Sequence, residues 1–134
     1  KMSKSYDNTI RMFWSEKKIK KAVMGIVTDS TPVEEPKDTG APLFKIWSLF
    51  ASQADREREF ARAKAGGLGY GDVKKDLVAR LLDYFAEMRA RRADLEGRPD
   101  DVEDILVEGA ARARVLAGPV LDACRSAAGL RTGA

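Results

Sequence analysis

The sequence predicts an all-α fold of about five helices, and three observations lead there. Apolar residues recur at the i, i+3, i+4, i+7 spacing of an amphipathic helix in several separate stretches. No strand-like alternation of apolar and polar residues occurs along the 134 residues. Between the periodic stretches stand runs dense in proline, glycine and capping residues, which end helices and turn the chain. A charged fraction of 34% beside 44% apolar residues fits a globular helical chain and excludes a disordered tail. No apolar run is long enough for a membrane span or the core of a signal peptide, so a cytoplasmic, membrane-free protein is expected.

Residues 1–14 lack periodicity and read as a loop with a connector. Ser15 is a candidate N-cap, and Glu16 follows in the first turn, where the helix dipole favours negative charge. Ile19, Ala22, Val23 and Ile26 then form an apolar stripe, with four lysines crowding the outer side, which predicts a helix over about 16–27. The Pro- and Asp-rich stretch 28–40 reads as an ordered loop. Pro42 suits a first helical turn, and Leu43, Ile46, Trp47 and Phe50 repeat the stripe in a short aromatic helix, so Trp47 is expected in the core. Residues 53–65 alternate in charge around one anchor, Phe60, and read as a helix with a solvated outer face.

Four glycines within 66–71 supply the positive φ angles of a sharp connection, and Asp72 is the expected cap of the next helix. Val73, Leu77, Leu81, Tyr84, Phe85 and Met88, widened by Val78 and Leu82, predict one strong core helix to about residue 95. After the break at Gly97-Arg98-Pro99, four acids load the start of a last helix running toward residue 128. Pro119 withholds a backbone donor, so a kink or break is expected at Gly118-Pro119. Cys124 reads as a small buried hydrophobe, and 129–134 as a tail that frays. The expected organisation is a loop and connector over 1–14, a helical domain over 15–128, and that tail.

Charge and missing residue types narrow the chemistry. The net charge is +3, yet residues 1–24 carry seven Lys and Arg against two acids, a local +5 that leaves −2 for the remainder. With no histidine and a single cysteine, the chain has no Ser-His-Asp or Cys-His machinery, no histidine metal site and no internal disulfide, and no metal ligands are assigned. Chemistry must rest on lysine, arginine, carboxylates, hydroxyls or backbone. The segment Lys1-Met2-Ser3-Lys4-Ser5 offers two ammonium groups three residues apart, flanked by hydroxyls, which suits clamping a polyphosphate whose charge grows as a bond breaks.

The string Lys1 to Ser5, continued by Tyr6-Asp7-Asn8-Thr9-Ile10, resembles the KMSKS signature of class I aminoacyl-tRNA synthetases. Ala65-Gly66-Gly67-Leu68-Gly69-Tyr70-Gly71-Asp72-Val73-Lys74 is similar to the glycine-rich turn of the bacterial tryptophanyl-tRNA synthetases. Thr28-Asp29-Ser30 and Glu35-Pro36-Lys37-Asp38 match the same family, and the likeness continues through Glu108-Gly109-Ala110-Ala111-Arg112-Ala113. Arg11, where the family usually has proline, and the Gly118-Pro119 interruption are departures.

The resemblance implies an enzyme that joins tryptophan to ATP (with Mg2+), releases pyrophosphate, and moves the tryptophanyl group to its tRNA. It implies that Lys1, Met2, Ser3, Lys4 and Ser5 bind ATP as a closing loop, with Lys4, aided by Lys1, stabilising the departing pyrophosphate. The helices over about 15–128 would meet the tRNA anticodon. Lys74, Lys75, Arg89, Arg91 and Arg92 are candidate tRNA contacts; their alternatives are solvent-facing or dipole-capping roles. Trp14 could stack on a base.

The family's ATP-binding HIGH-type motif, nucleotide-binding sheet and tryptophan pocket lie upstream of KMSKS. Lys1-Met2 therefore reads as a cut end, and the chain as about the last two-fifths of a family member. No cofactor is expected to be held by this stretch alone, and it is expected to be inactive alone. The family is homodimeric through contacts mainly in the other part. A stand-alone helical tRNA-binding module and a helical protein-interaction domain are the competing readings.

Overall fold

The computed structural model describes residues 3–6 and 8–130, with the Lys4 side chain also outside the description. Every regular element among the described residues is helical, with no strand: a 3-10 turn, Lys4–Tyr6, then α1 (Glu16–Met24), α2 (Pro42–Ser48), α3 (Gln53–Ala65), α4 (Tyr70–Tyr84), α5 (Ala86–Glu96) and α6 (Pro99–Ala127). The chain divides into two units, residues 1–89 and 90–134.

In the first unit α1 and α2 both pack on α4. The core is built from the stripes the periodicity marks: Ile19 and Val23 from α1, Leu43, Phe44 and Trp47 from α2, Val73, Leu77 and Leu81 from α4. Trp47 is 1% exposed, and its indole N–H donates to Asp76 Oδ2 at 2.7 Å, so the polar end of a buried ring is satisfied. Phe44 and Phe60 meet edge to face with centroids 6.0 Å apart, which brings the charged α3 onto the core through the anchor expected of it.

Local chemistry accounts for most helix ends. Pro42 and Pro99 each occupy the first turn of their helices, where a missing N–H costs nothing. The Ser52 hydroxyl accepts the Asp55 N–H and caps α3. Ser15 is the N-cap of α1 without a side-chain bond, and α4 starts at a Gly69 cap with Asp72 inside its first turn, three residues earlier than expected. Gly66 has φ +86°, and a Cβ there would lie 2.1 Å from the Glu34 carbonyl oxygen, so only glycine fits that approach. The Gly67 N–H donates to Val33 O and the Lys37 N–H to Ala63 O, both at 2.7 Å, docking the Pro-rich loop on the glycine turn.

Three expectations are corrected. The single core helix to residue 95 is two, because Phe85 leaves helical geometry at φ −96°, ψ 7°. There Phe50, Tyr84 and Phe85 form a triangle of edge-on rings with centroids 5.0–6.0 Å apart, and this packing turns the chain without glycine or proline. In the second unit α6 runs through Pro119 without a break. Gly118 has nothing within 4 Å of where a Cβ would be, so open surroundings let the helix absorb the lost bond. Cys124 is exposed, because no residue of α6 is buried. Gly129, at φ +69°, closes α6: its N–H donates to Ser126 O, and that of Leu130 to Arg125 O, the paired bonds of a Schellman end.

Candidate functional site

Lys1 and Met2 lie outside the described residues, as does the Lys4 side chain. What is described is a backbone folded onto itself. The Ser3 N–H donates to Asn8 Oδ1 at 2.7 Å, the Ser5 N–H to Ser3 Oγ at 3.2 Å, and the Tyr6 N–H to Ser3 O at 3.3 Å. Ser3 thus shapes the 3-10 turn that carries Lys4, while Ser5 is exposed.

The chain leaving this turn is fastened to the helices. Ile10 packs against the core, and the Trp14 N–H closes a turn onto Arg11 O at 3.1 Å. The Arg11 guanidinium stands 5.4 Å from the Trp14 ring centroid, a cation–π pair at the position where proline was expected from the resemblance. Arg89 Nη1 donates to the carbonyls of Met12 at 2.5 Å and Trp14 at 2.8 Å. Lys74 Nζ donates to Met24 O at 3.2 Å and Ile26 O at 2.7 Å, and the residue is only 9% exposed. The two cations therefore staple the backbone just before and just after α1, and the carbonyls replace water that the ammonium loses on burial.

Lys74 and Arg89 were candidate tRNA contacts, with solvent-facing or dipole-capping roles as the alternatives; the structure turns both side chains toward protein carbonyls. Lys75 pairs with Asp72 at 3.2 Å and Arg92 with Glu96 at 2.7 Å, and Arg91 is exposed. Of the five, Lys74, Lys75 and Arg89 belong to the first unit, Arg91 and Arg92 to the second.

The loop between α1 and α2 is built around a second buried cation. Lys37, 5% exposed, donates to Pro32 O and to Glu35 O, the latter at 2.9 Å, with Nζ 5.4 Å from the Tyr70 ring centroid. The Tyr70 hydroxyl donates to Asp29 Oδ2 at 2.9 Å. Burial, reinforced by that bond and the Asp29 charge, pushes the phenol up to about 12. Hydrogen bonds from Thr31, then from Tyr70, hold the Asp29 carboxyl below its usual range. The family-like segments 28–30, 35–38 and 65–74 are thus one interlocked assembly.

Two charged regions of the first unit contrast. Between α3 and α4 a cleft of about 230 Å³ has Phe44 and Trp47 in its wall and three arginines at its rim. Those arginines are already neutralised: Arg58 by Asp55 and Glu59, Arg62 by Glu59, Arg80 by Asp55 and Asp76. Lys17, Lys18, Lys20 and Lys21 of α1 are all exposed, and none forms an ion pair with another described residue. The sequence marks these lysines as the outer side of α1 and as four of the seven cations in the basic stretch 1–24. Among the described residues no group of three or more His, Cys, Asp or Glu is placed to hold a metal ion.

No protein-family model matches the chain. Whole-sequence comparison finds tryptophan–tRNA ligases: that of Rhodopirellula baltica is 51% identical over 132 residues, covering 98% of this chain and 41% of the relative. Those of Fusobacterium nucleatum and Pseudomonas aeruginosa are 48% and 44% identical, over 87% and 98% of this chain and 36% and 30% of theirs. The chain belongs to the tryptophan–tRNA ligase family. It spans about two-fifths or less of the length of these relatives. The crystal structure of the Campylobacter jejuni tryptophanyl-tRNA synthetase complexed with ADP and tryptophan matches its fold with a TM-score of 0.87 at 40% identity, over 97% of this chain and 41% of that one. The helical arrangement of this family member is therefore that of a ligase part. No helix among the described residues is long and apolar enough to cross a membrane.

Proposed function

We propose that this chain is the C-terminal part of a tryptophan–tRNA ligase, supplying the loop that closes on ATP and the helices that meet the tRNA. The observation that carries the reading is 39–51% identity to such ligases over nearly the whole chain, in a sequence that opens on Lys1-Met2-Ser3-Lys4-Ser5. The complete enzyme would join the tryptophan carboxylate to the ATP α-phosphate, release pyrophosphate, and pass the tryptophanyl group to its tRNA in the cytoplasm. In that step Lys4 meets the charge that accumulates on the leaving pyrophosphate, with Lys1 beside it, and Ser3 holds the turn through the Ser5 N–H. A loop that closes only on bound nucleotide also keeps water from the mixed anhydride. The Mg2+ would enter with the ATP. The homodimer of the family would be formed mainly through the other part of the enzyme.

The test is Lys4→Ala in an enzyme of full family length that ends in this chain. Tryptophan binding is expected to persist while tryptophan-dependent pyrophosphate exchange falls by about 10²–10³-fold, the usual worth of a donor aimed at transition-state charge. Exchange at the unaltered rate would remove Lys4 from the mechanism. The 134-residue chain alone is expected to show no exchange at all.

A further inference from the structure

The exposed face of α1 has a charge pattern that helix stability does not explain. Lys17, Lys18, Lys20 and Lys21 lie within two turns, and at 3.6 residues per turn they cover an arc of roughly 160° opposite the buried Ile19 and Val23. Like charges three and four apart repel along an isolated helix. Lysine near the C-terminus, such as Lys21, gains from the helix dipole, but Lys17 and Lys18 stand in the first turn, where the dipole disfavours them. Glu16 is the only acid on the helix, whereas Arg58 and Arg62 of α3 and Lys75 and Arg80 of α4 are each paired with a carboxylate. Four cations left bare on one face are arranged for an anion from outside.

The surroundings indicate what kind of anion. Lys18 and Lys21 line a hollow of about 430 Å³ with Trp14, Ala22, Gly25 and Thr9, the last only three residues along the chain from the Lys4–Tyr6 turn. A hydroxyl and a half-buried indole beside two ammonium groups suit a sugar–phosphate chain with an unstacked base. A lipid surface fits poorly, because a helix lying in a membrane needs an exposed apolar face, and here that face is buried in the core. We propose that the lysine face of α1, with the Trp14 hollow, is an RNA phosphate-backbone contact surface, which no assigned residue of the chain accounts for. It rests on the reading of the chain as part of a tRNA-charging enzyme and places the RNA contact beside the ATP loop as well as on the distal helices.

The experiment measures binding of the 134-residue chain to a tryptophan-tRNA transcript over a salt series, for wild type and for K17Q/K18Q/K20Q/K21Q; glutamine keeps helix propensity and removes charge. The quadruple variant is expected to bind about tenfold or more weakly at low salt, with a log Kd against log salt slope smaller by about three. Its circular dichroism and Tm should match wild type. If it does not fold, K17Q/K18Q and K20Q/K21Q each carry the test at about half the slope change. Wild-type binding with an unchanged variant overturns the surface alone, whereas absence of RNA binding by wild type overturns the tRNA role with it. Lost retention on phosphatidylserine vesicles with unaltered RNA affinity assigns the face to lipid and overturns the proposal.

Discussion

Helices α4 and α6 carry equally clear apolar stripes, and only one of them is a core helix in this chain. In the first unit Val73, Leu77 and Leu81 of α4 are buried against α1 and α2. In the second, Ile105, Leu106, Val115, Leu116 and Val120 of α6 are all more than half exposed. The two are therefore held by different forces. Removal of apolar surface from water stabilises α4, at about 25 cal/mol per Å². The contributions visible in α6 are local: Pro99 and two acids in the first turn, Arg98 paired with Asp94 and Asp101, Arg125 in the last turn, and the Gly129 close. Each is worth no more than about 1 kcal/mol. A stripe shows that a helix has a face to bury, and partners within the chain decide whether it does.

The contrast is most directly broken by truncating both stripes. Trp47→Ala and Leu77→Ala, each leaving a cavity among residues under 2% exposed, are expected to destabilise the chain by about 4 and 3 kcal/mol in urea unfolding. Leu116→Ala removes a side chain that is 78% exposed and should change stability by less than about 0.5 kcal/mol. A cost for Leu116 comparable to that of Leu77 would show that α6 draws on burial after all.

Glycines sharpen the same difference by sign. Gly66→Ala forces a Cβ against the Glu34 carbonyl at positive φ and is expected to cost at least about 2 kcal/mol. Gly109→Ala, in an open stretch of α6 with ordinary helical surroundings, should stabilise by about 0.8 kcal/mol through helix propensity. Thermal unfolding of the two variants should therefore move Tm in opposite directions.

These cases also mark how far the sequence could be read. Periodicity found the stripes of α1, α2 and α4, and glycine density found the turn at Gly66, because both are local signals. The break at Phe85 was invisible: it comes from ring packing between Phe50, Tyr84 and Phe85, residues up to thirty-five positions apart. Cys124 was placed inside from its apolar sequence context, yet burial depends on partners that such a context does not name. At the candidate site, the string Lys1 to Ser5 was legible as a resemblance and the lysines of α1 as an outer face. The inward turn of Lys74 and Arg89 was not, because their partners are backbone carbonyls forty-eight to seventy-seven residues away, and a carbonyl leaves no mark in composition.

The smallest expected effects come from two ion pairs of the same design, an acid four residues before an arginine. Asp76–Arg80 in α4 lies at 2.7 Å, with Arg80 25% exposed, its guanidinium also 3.0 Å from Asp55 and 5.5 Å from the Trp47 ring centroid. Glu108–Arg112 in α6 lies at 3.2 Å with both side chains 71% exposed. Arg80→Ala removes stacking over a core ring as well as two charge-assisted bonds, and should cost about 1–2 kcal/mol. Arg112→Ala should cost about 0.3 kcal/mol or less. Salt separates them further: at 1 M NaCl, where the Debye length is about 3 Å, the Arg112 effect should vanish while most of the Arg80 effect persists, because the packing of Arg80 on Trp47 is not screened. Equal losses of both effects in high salt would mean that Arg80, too, is held by surface charge alone, and that the division between the two units does not extend to their ion pairs.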